Sequence, residues 1–398
     1  MEKHKINSII FVLDGYPYQG SSACVFVRNL IVALVDQDIH CTVICPQIIT
    51  PSTIKKRKIP YFFIDHTESG KEIPVYAPRY VYYPANLRLT QLSMNHHMNA
   101  VLKTIKREKL NADVIYGHFI FQCGLTAARV GKKLNIPSFL GAGESDKLVP
   151  GNQRNHGVYE TGVKNLNWQK HLNQLSGIIC VSEWTKDLMI ENRFITEDFT
   201  KKMIVCPNAV NQNVFHQGDQ RRARKELNLP DNDFIALFVG AFNDNKGVLR
   251  VSEAVDNVPE VKAVFLGKGV LQPQCSGMLY SDTCDNQTVA KYMQAADCFV
   301  LPTKSEGCCN AILEALSCGL PVISSDLPFN DGILDDNNSI RVNPNRVDEI
   351  RNALSQLVHD ERLRVQLTAG AIASSKAFDI NLRAQRIINF MSEVITEC

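Results

Sequence analysis

Residues 301–325 read LPTKSEGCCNAILEALSCGLPVISS. An apolar run leads into a turn holding Glu306 and Gly307, then an amphipathic stretch, then Gly319-Leu320-Pro321 and a second apolar run. The order is strand, turn, helix, stop, strand, with Gly319 ending the helix and Pro321 preventing its continuation. Gly307 lets the backbone approach a ligand, and the amides of Gly307, Cys308, Cys309 and Asn310 open the helix. Free N–H groups and partial positive charge at a helix start suit a phosphate or a sugar hydroxyl. Glu306 and Glu314 add two carboxylates. Glu314 lies within Ala-Ile-Leu-Glu-Ala-Leu and needs a polar partner or solvent there. Taken singly, each also fits an ordinary exposed position.

Working outward, short apolar runs alternate with longer amphipathic ones. Strands are expected at 6–13, 41–45, 113–116, 137–140, 177–181 and 203–206, and again at 234–239, 263–266, 298–301, 322–324 and 339–342. Helical spacing occupies 23–35, 92–106 and 124–134, then 248–255, 288–296, 311–317, 347–358 and 361–374. Strands that are apolar throughout, rather than alternating, are covered on both faces, which means parallel sheets flanked by helices. The pattern runs twice, so the expectation is an α/β chain of two Rossmann-like doubly wound domains with ligands beyond the carboxyl ends of the strands. Pro207-Asn208-Ala209 marks the boundary, and the polar stretch 211–224 reads as a linker.

The 398 residues suit two domains, and 45% apolar with 21% charged residues is ordinary for a globular enzyme. A net charge of +2 gives no argument for nucleic acid. Residues 1–210 carry 25 Lys and Arg against 17 Asp and Glu, whereas 211–398 carry 18 against 24. The basic first half, with the run Lys55-Lys56-Arg57-Lys58, is compatible with peripheral contact with an anionic membrane or with plain solvation. The 13 cysteines include no CxxC; Cys41/Cys45 and Cys308/Cys309 lack zinc-finger spacing. Unpaired thiols fit a reducing cytoplasm. The start lacks the features of a signal peptide, and no run reaches the ~20 apolar residues of a membrane span.

The 301–325 segment resembles the E-x7-E signature of glycosyltransferase family 4, the retaining GT-B transferases (glycosyl transferases group 1), of bacterial polysaccharide type. The resemblance extends along most of the chain. Tyr16-Pro17-Tyr18-Gln19-Gly20-Ser21-Ser22 is similar to the family's first Gly-rich βα loop, and His118 in Val-Ile-Tyr-Gly-His-Phe to its histidine after a central strand. Cys180-Val181-Ser182-Glu183, Pro207-Asn208-Ala209-Val210, Phe238-Val239-Gly240 through Asn245-Lys246-Gly247, and Ala295 through Pro302 follow in the family's order.

The resemblance implies two domains, 1–206 on the acceptor side and 207–375 for the donor, facing a central cleft. A helix within 376–398 would cross back to the first domain. It implies transfer of a sugar from a nucleotide diphosphate donor, UDP or GDP, to a glycan or lipid-linked acceptor, with no metal and no other cofactor. Glu314 would bind the ribose hydroxyls and Glu306 the sugar's. The amides from Gly307 to Asn310 would meet sugar or diphosphate, Gly20 would close over the phosphates, and His118 would line the sugar side. Lys246 would pair with the leaving diphosphate, whose developing charge a preorganised cation stabilises. Glu144 and Asp146 are candidates for the sugar or acceptor pocket, or equally surface caps. Where many members carry a further Arg, this chain has Ala241 and Asn245. A GT-B nucleotide-sugar epimerase, a sugar-phosphate synthase and a non-catalytic nucleotide-sugar-binding protein are the competing readings. Asp36-Gln37-Asp38 and Asp231-Asn232-Asp233 fit D-x-D but read as turns, and Gly267-Lys268-Gly269 is short for a phosphate loop.

Overall fold

A computed structural model describes residues 5–19, 23–49, 54, 59–83, 87–144, 148 and 167–397. The chain divides into two compact units, residues 1–207 with 381–398, and residues 208–380.

The first unit is built on β1 (Ser8–Val12), β2 (His40–Ile44), β3 (Gln47–Ile49), β4 (Phe62–His66), β5 (Glu72–Tyr76), β6 (Arg79–Val81), β7 (Val114–His118), β8 (Ser138–Ala142), β9 (Gly177–Cys180) and β10 (Met203–Val205). Eight of these form one sheet in the order β10-β9-β8-β7-β1-β2-β5-β4, and β3 pairs with β6 apart from it. All sheet pairs are parallel except β4 with β5. The central strands are buried along their length, as their uninterrupted apolar runs require. The antiparallel β4–β5 pair was not expected from sequence. β4 alternates exposed and half-buried residues at the sheet edge, so it has no apolar run to read. The helix Ile380–Thr396 supplies Phe390 to the ring of Phe139 on β8, at 6.0 Å between centroids.

The second unit carries β11 (Phe234–Val239), β12 (Val261–Leu266), β13 (Met278–Asp282), β14 (Cys298–Leu301), β15 (Val322–Ser325) and β16 (Ser339–Val342). The order β13-β12-β11-β14-β15-β16 is parallel throughout. The exposed edge strand β13 is another that hydrophobic patterning misses. The stretch expected as a linker contains a helix, Gln220–Glu226, whose first turn is capped by Asp219 accepting from Arg222 N at 3.0 Å. Its Arg224 is buried and bonds Asp297 Oδ2 at 2.7 Å, pinning that helix to the start of β14.

The parallel strands of each sheet reverse their order once, between β1 and β7 in the first unit and between β11 and β14 in the second. The loops that leave the carboxyl ends at such a reversal diverge and leave a crevice, where ligands bind in open α/β sheets.

Candidate functional site

In the second unit two loops meet at that reversal. The turn after β11 is shaped by Asn243, whose Oδ1 accepts from Lys246 N at 3.0 Å. Gly247 ends it with φ +80°, a left-handed conformation that glycine adopts freely. A Cβ there would also lie 2.9 Å from Pro302 O. The side chain of Asn245 is buried and donates Nδ2 to Ser305 O at 3.1 Å, while Lys304 N donates to Asn245 O at 2.8 Å. Those bonds stitch the β11 turn to the β14 loop. They bring Lys246 Nζ onto Glu306 Oε1 as an ion pair, with the two side chains 20% and 17% exposed. Thr303 Oγ1 donates to the same carboxylate at 3.1 Å.

Beyond Glu306 the chain enters the helix Asn310–Ser317 through buried Gly307, Cys308 and Cys309. Asn208 fixes this entry: its Nδ2 donates to Cys308 O at 3.2 Å, and its backbone N–H lies 3.3 Å from Cys308 Sγ. Asn208 was read only as part of a boundary motif, and nothing in its sequence neighbourhood shows which loop it holds. Ser325 Oγ donates to Thr303 O, and Ser324 Oγ donates to Leu301 O at 2.8 Å, so β15 sets the height of the same loop. Asn310 Oδ1 is buried with no hydrogen-bond partner among the described residues. Glu314 is half-buried on this helix, and burial pushes its carboxyl up to about 7 from an ordinary value near 4.5. Burial is the one cause of that shift, and no ion pair to Glu314 occurs among the described residues.

The fate of the other cations is definite. Arg250 gives Nη1 to Asp244 Oδ1 at 2.8 Å and Nη2 to Pro302 O at 3.2 Å. It braces the turn and does not stand in for the arginine absent at Ala241 and Asn245. Lys304 also pairs with Asp244, at 2.8 Å. Lys268 is exposed after β12, in a turn whose glycines lie flat on the β11 turn. A Cβ on Gly267 would sit 1.9 Å from Gly240 O, and one on Gly269 2.2 Å from Phe242 O. Close backbone approach therefore explains this glycine pattern. Of the D-x-D candidates, Asp38 is bound to Lys71 at 2.7 Å, and Asp231 and Asp233 give backbone oxygens to Arg224.

The first unit builds its own group at the β1/β7 reversal. His118 ends β7 and is 3% exposed. Tyr116 Oη lies 3.3 Å from its Nδ1, the rings of Phe26 and Phe119 pack edge-on to it, and its Nε2 is buried without a partner among the described residues. Burial, with the charge of Arg383 adding to it, lowers the imidazole to about 3, so it is neutral near pH 7. Gly141 makes the site possible, since a Cβ there would meet Tyr116 Oη at 1.8 Å. Glu144 is buried, not a surface cap, and its carboxylate accepts from Ile120 N in the turn that follows His118. Gly20, Asp146 and the run 55–58 lie outside the described residues.

The chain thus groups Lys246, Glu306, Gly307, Cys308, Cys309, Asn310 and Glu314 in the second unit, and His118 with Glu144 in the first. One group offers a cation, carboxylates and helix-start amides. The other offers a neutral, desolvated imidazole.

Comparison with known proteins bears on both units. Residues 24–214 match the model of "Glycosyltransferase Family 4", and residues 219–373 that of "Glycosyl transferases group 1". A Bacillus subtilis protein named as a teichuronic acid biosynthesis glycosyltransferase is 27% identical over 360 residues, 89% of this chain and 90% of its own length. The Escherichia coli UDP-Gal:alpha-D-GlcNAc-diphosphoundecaprenol alpha-1,3-galactosyltransferase is 26% identical over 55% of this chain and 60% of its own. Among solved structures, sucrose-phosphate synthase from Thermosynechococcus elongatus superposes with a TM-score of 0.76 at 17% identity, over 98% of this chain and all of the other. Anabaena HepE in complex with UDP-glucose superposes with a TM-score of 0.69 at 16% identity, over 98% of this chain and all of its own.

Proposed function

This chain belongs to the group 1 glycosyltransferases and has the GT-B fold, and from that premise we propose that it moves a sugar, with retention of configuration, from a UDP or GDP donor to a glycan or lipid-linked acceptor in the synthesis of a cell-surface polysaccharide or glycolipid. The observation that carries the proposal is the Lys246–Glu306 pair set beside the start of the helix Asn310–Ser317.

In this reading the donor diphosphate takes Lys246 from Glu306. Cleaving the glycosidic bond puts negative charge on the leaving phosphate, and a cation already in place lowers that barrier. The amides of residues 307–310 offer the remaining donors. Glu306, released, accepts from hydroxyls of the transferred sugar. Glu314 accepts from the ribose hydroxyls, bonds that are strong because the acceptor is ionised. Ribose hydroxyls stabilise the ionised form, so donor binding releases a proton from Glu314 near pH 7. His118 Nε2 meets an uncharged hydroxyl of sugar or acceptor, as suits a neutral ring. Retention proceeds by same-face substitution, the departing phosphate taking the acceptor's proton. No metal or further cofactor enters this scheme.

The relatives support an acceptor on the polysaccharide or lipid-linked side, since one is named for teichuronic acid biosynthesis and another for a diphosphoundecaprenol substrate. Among the described residues no helix is long and apolar enough to cross a membrane. In the proposed reading a lipid-linked acceptor is reached from the cytoplasmic face by peripheral contact. The test is turnover of a UDP- and GDP-sugar panel with lipid-linked and soluble glycan acceptors. Glu306→Ala and Lys246→Ala should each lower transfer by about 10²–10³ while folding normally. Full activity in both would remove the proposed site.

A further inference from the structure

We infer that the first unit carries a second site, for a divalent metal ion of the zinc class, formed by the imidazole of His97, the thiolate of Cys123 and the carboxylate of Asp14. The ligand atoms of these three side chains lie within 4.8 Å of one another. Zinc holds nitrogen at about 2.0 Å and sulfur at about 2.3 Å, so ligand atoms around one tetrahedral ion are roughly 3.3–3.8 Å apart. The cluster needs to close by little more than 1 Å. Cys123 Sγ already donates to Asp14 Oδ1 at 2.9 Å.

The three groups come from separate elements that the fold brings together. Asp14 follows β1, His97 lies on the helix Leu87–Arg107, and Cys123 lies in the turn Ile120–Gly124 after β7. A nitrogen, a sulfur and an oxygen donor together suit zinc better than magnesium or calcium, which prefer oxygen alone. The histidine is held as ligand histidines are held. Its Nδ1 lies 2.8 Å from Thr126 Oγ1, which fixes the ring and leaves Nε2 for a metal. The ring of Tyr80 packs edge-on to it at 5.0 Å, and Tyr80 Oη donates to Gln122 Oε1 at 2.5 Å. Gln122 Nε2 remains a buried donor without a partner among the described residues, placed next in the chain to Cys123. His97 and Cys123 are buried while Asp14 is exposed, so the ion has an entry path from the Asp14 side.

Binding is a proton exchange: the metal displaces the thiol proton of Cys123 to solvent, and Asp14 turns its lone pair from that S–H to the metal. The ion would tie the loop after β1, which leads to Tyr16, to the helix and to the β7 turn.

The experiment uses the full chain, stripped with a chelator and titrated with Co²⁺ and then Zn²⁺. One Co²⁺ should bind per chain, with a near-ultraviolet thiolate-to-cobalt absorption that Zn²⁺ abolishes. That absorption should be missing in Cys123→Ser and unchanged in Cys284→Ser, a cysteine of the second unit. Thr126→Val, which removes the bond to Nδ1, should weaken the metal by about tenfold. Asp14→Asn, at an exposed position, should weaken it at least as much while the melting temperature of the metal-free chain stays close to that of the unaltered chain. No cobalt binding by the unaltered chain, a persisting absorption in Cys123→Ser, or unaltered affinity in Asp14→Asn would each overturn the inference.

Discussion

The two reversals of strand order, β1/β7 and β11/β14, share a topology and differ in electrostatics. At β11/β14 the loops hold an ion pair whose members stay about one-fifth exposed, and the helix that follows carries a carboxyl with no counter-ion among the described residues. At β1/β7 the corresponding place holds a histidine wrapped by Tyr116, Phe26 and Phe119 and kept neutral. A partly wet cation can be moved from one anion to another at small cost. A dry imidazole cannot be charged, but it offers a hydrogen bond that water does not weaken. On the proposed reading, this difference suits the second unit to phosphate chemistry and the first to hydroxyl recognition.

The sharpest way to break this contrast is to remove the charge from each side in turn. Lys246→Ala should lower kcat by about 10²–10³, equivalent to roughly 3–4 kcal/mol of transition-state stabilisation. Lys246→Arg should recover part of the loss. His118→Gln keeps a neutral hydrogen-bonding group and should cost about tenfold, mostly in KM. Equal losses in kcat for His118→Gln and Lys246→Ala, measured by steady-state kinetics, would erase the division of labour.

Acid should act on the two units in opposite senses. His118 titrates at about 3 in the folded chain against about 6.5 when unfolded, so its contribution is complete above pH 6.5 and is lost as the pH falls from there toward 3. At pH 5.5 the loss is on the order of 1 kcal/mol. Glu314 titrates at about 7 against about 4.5, so its contribution is complete below pH 4.5 and is lost as the pH rises through 7. Going from pH 7.5 to 5.5 therefore returns about 2 kcal/mol to its surroundings. Amide exchange, corrected for its intrinsic pH dependence, should show β7 and β8 losing protection over that interval while the helix Asn310–Ser317 gains it. Parallel changes in both regions would refute the contrast.

The smallest expected effect separates recognition from stability in one residue. Glu314→Gln should weaken nucleotide-sugar binding by about tenfold, since a charge-assisted acceptor is lost. It should also raise the melting temperature at pH 8 but not at pH 5, since only the ionised form carries the burial cost. Calorimetry at the two pH values reads both. A stability gain of the same size at pH 5 would show that desolvation of the carboxylate is not its origin.

Much of the fold could be read from the chain because parallel strands buried on both faces must be apolar along their length. β7, β8, β9 and β14 are short, wholly buried and bounded by turn residues. Of the strands that escaped, β4 and β13 are edge strands facing solvent, β5 alternates buried residues with Glu72 and Pro74 and so has no apolar run, and β3 and β6 are three-residue strands in a sheet of their own. The helix Gln220–Glu226 escaped because its composition is polar, and its one buried charge, Arg224, is explained only by Asp297, 73 positions away. For the candidate site, residue types and the strand–turn–helix rhythm of 301–325 were legible. Partnerships were not, because Asn245, Asn208 and Arg250 look alike as polar loop residues until their partners are known.

By itself the amino-acid sequence determined the two doubly wound units and the turn that carries Glu306 and Gly307, since periodicity, helix stops and glycine placement are local properties. Only the tertiary structure decided that Lys246 faces Glu306, that Arg250 is spent on Asp244, that His118 is dry, and that Asp14, His97 and Cys123 converge. The reason is physical. Charge pairing and desolvation depend on distance and on what excludes water, and both are set by segments that meet only when the sheets close.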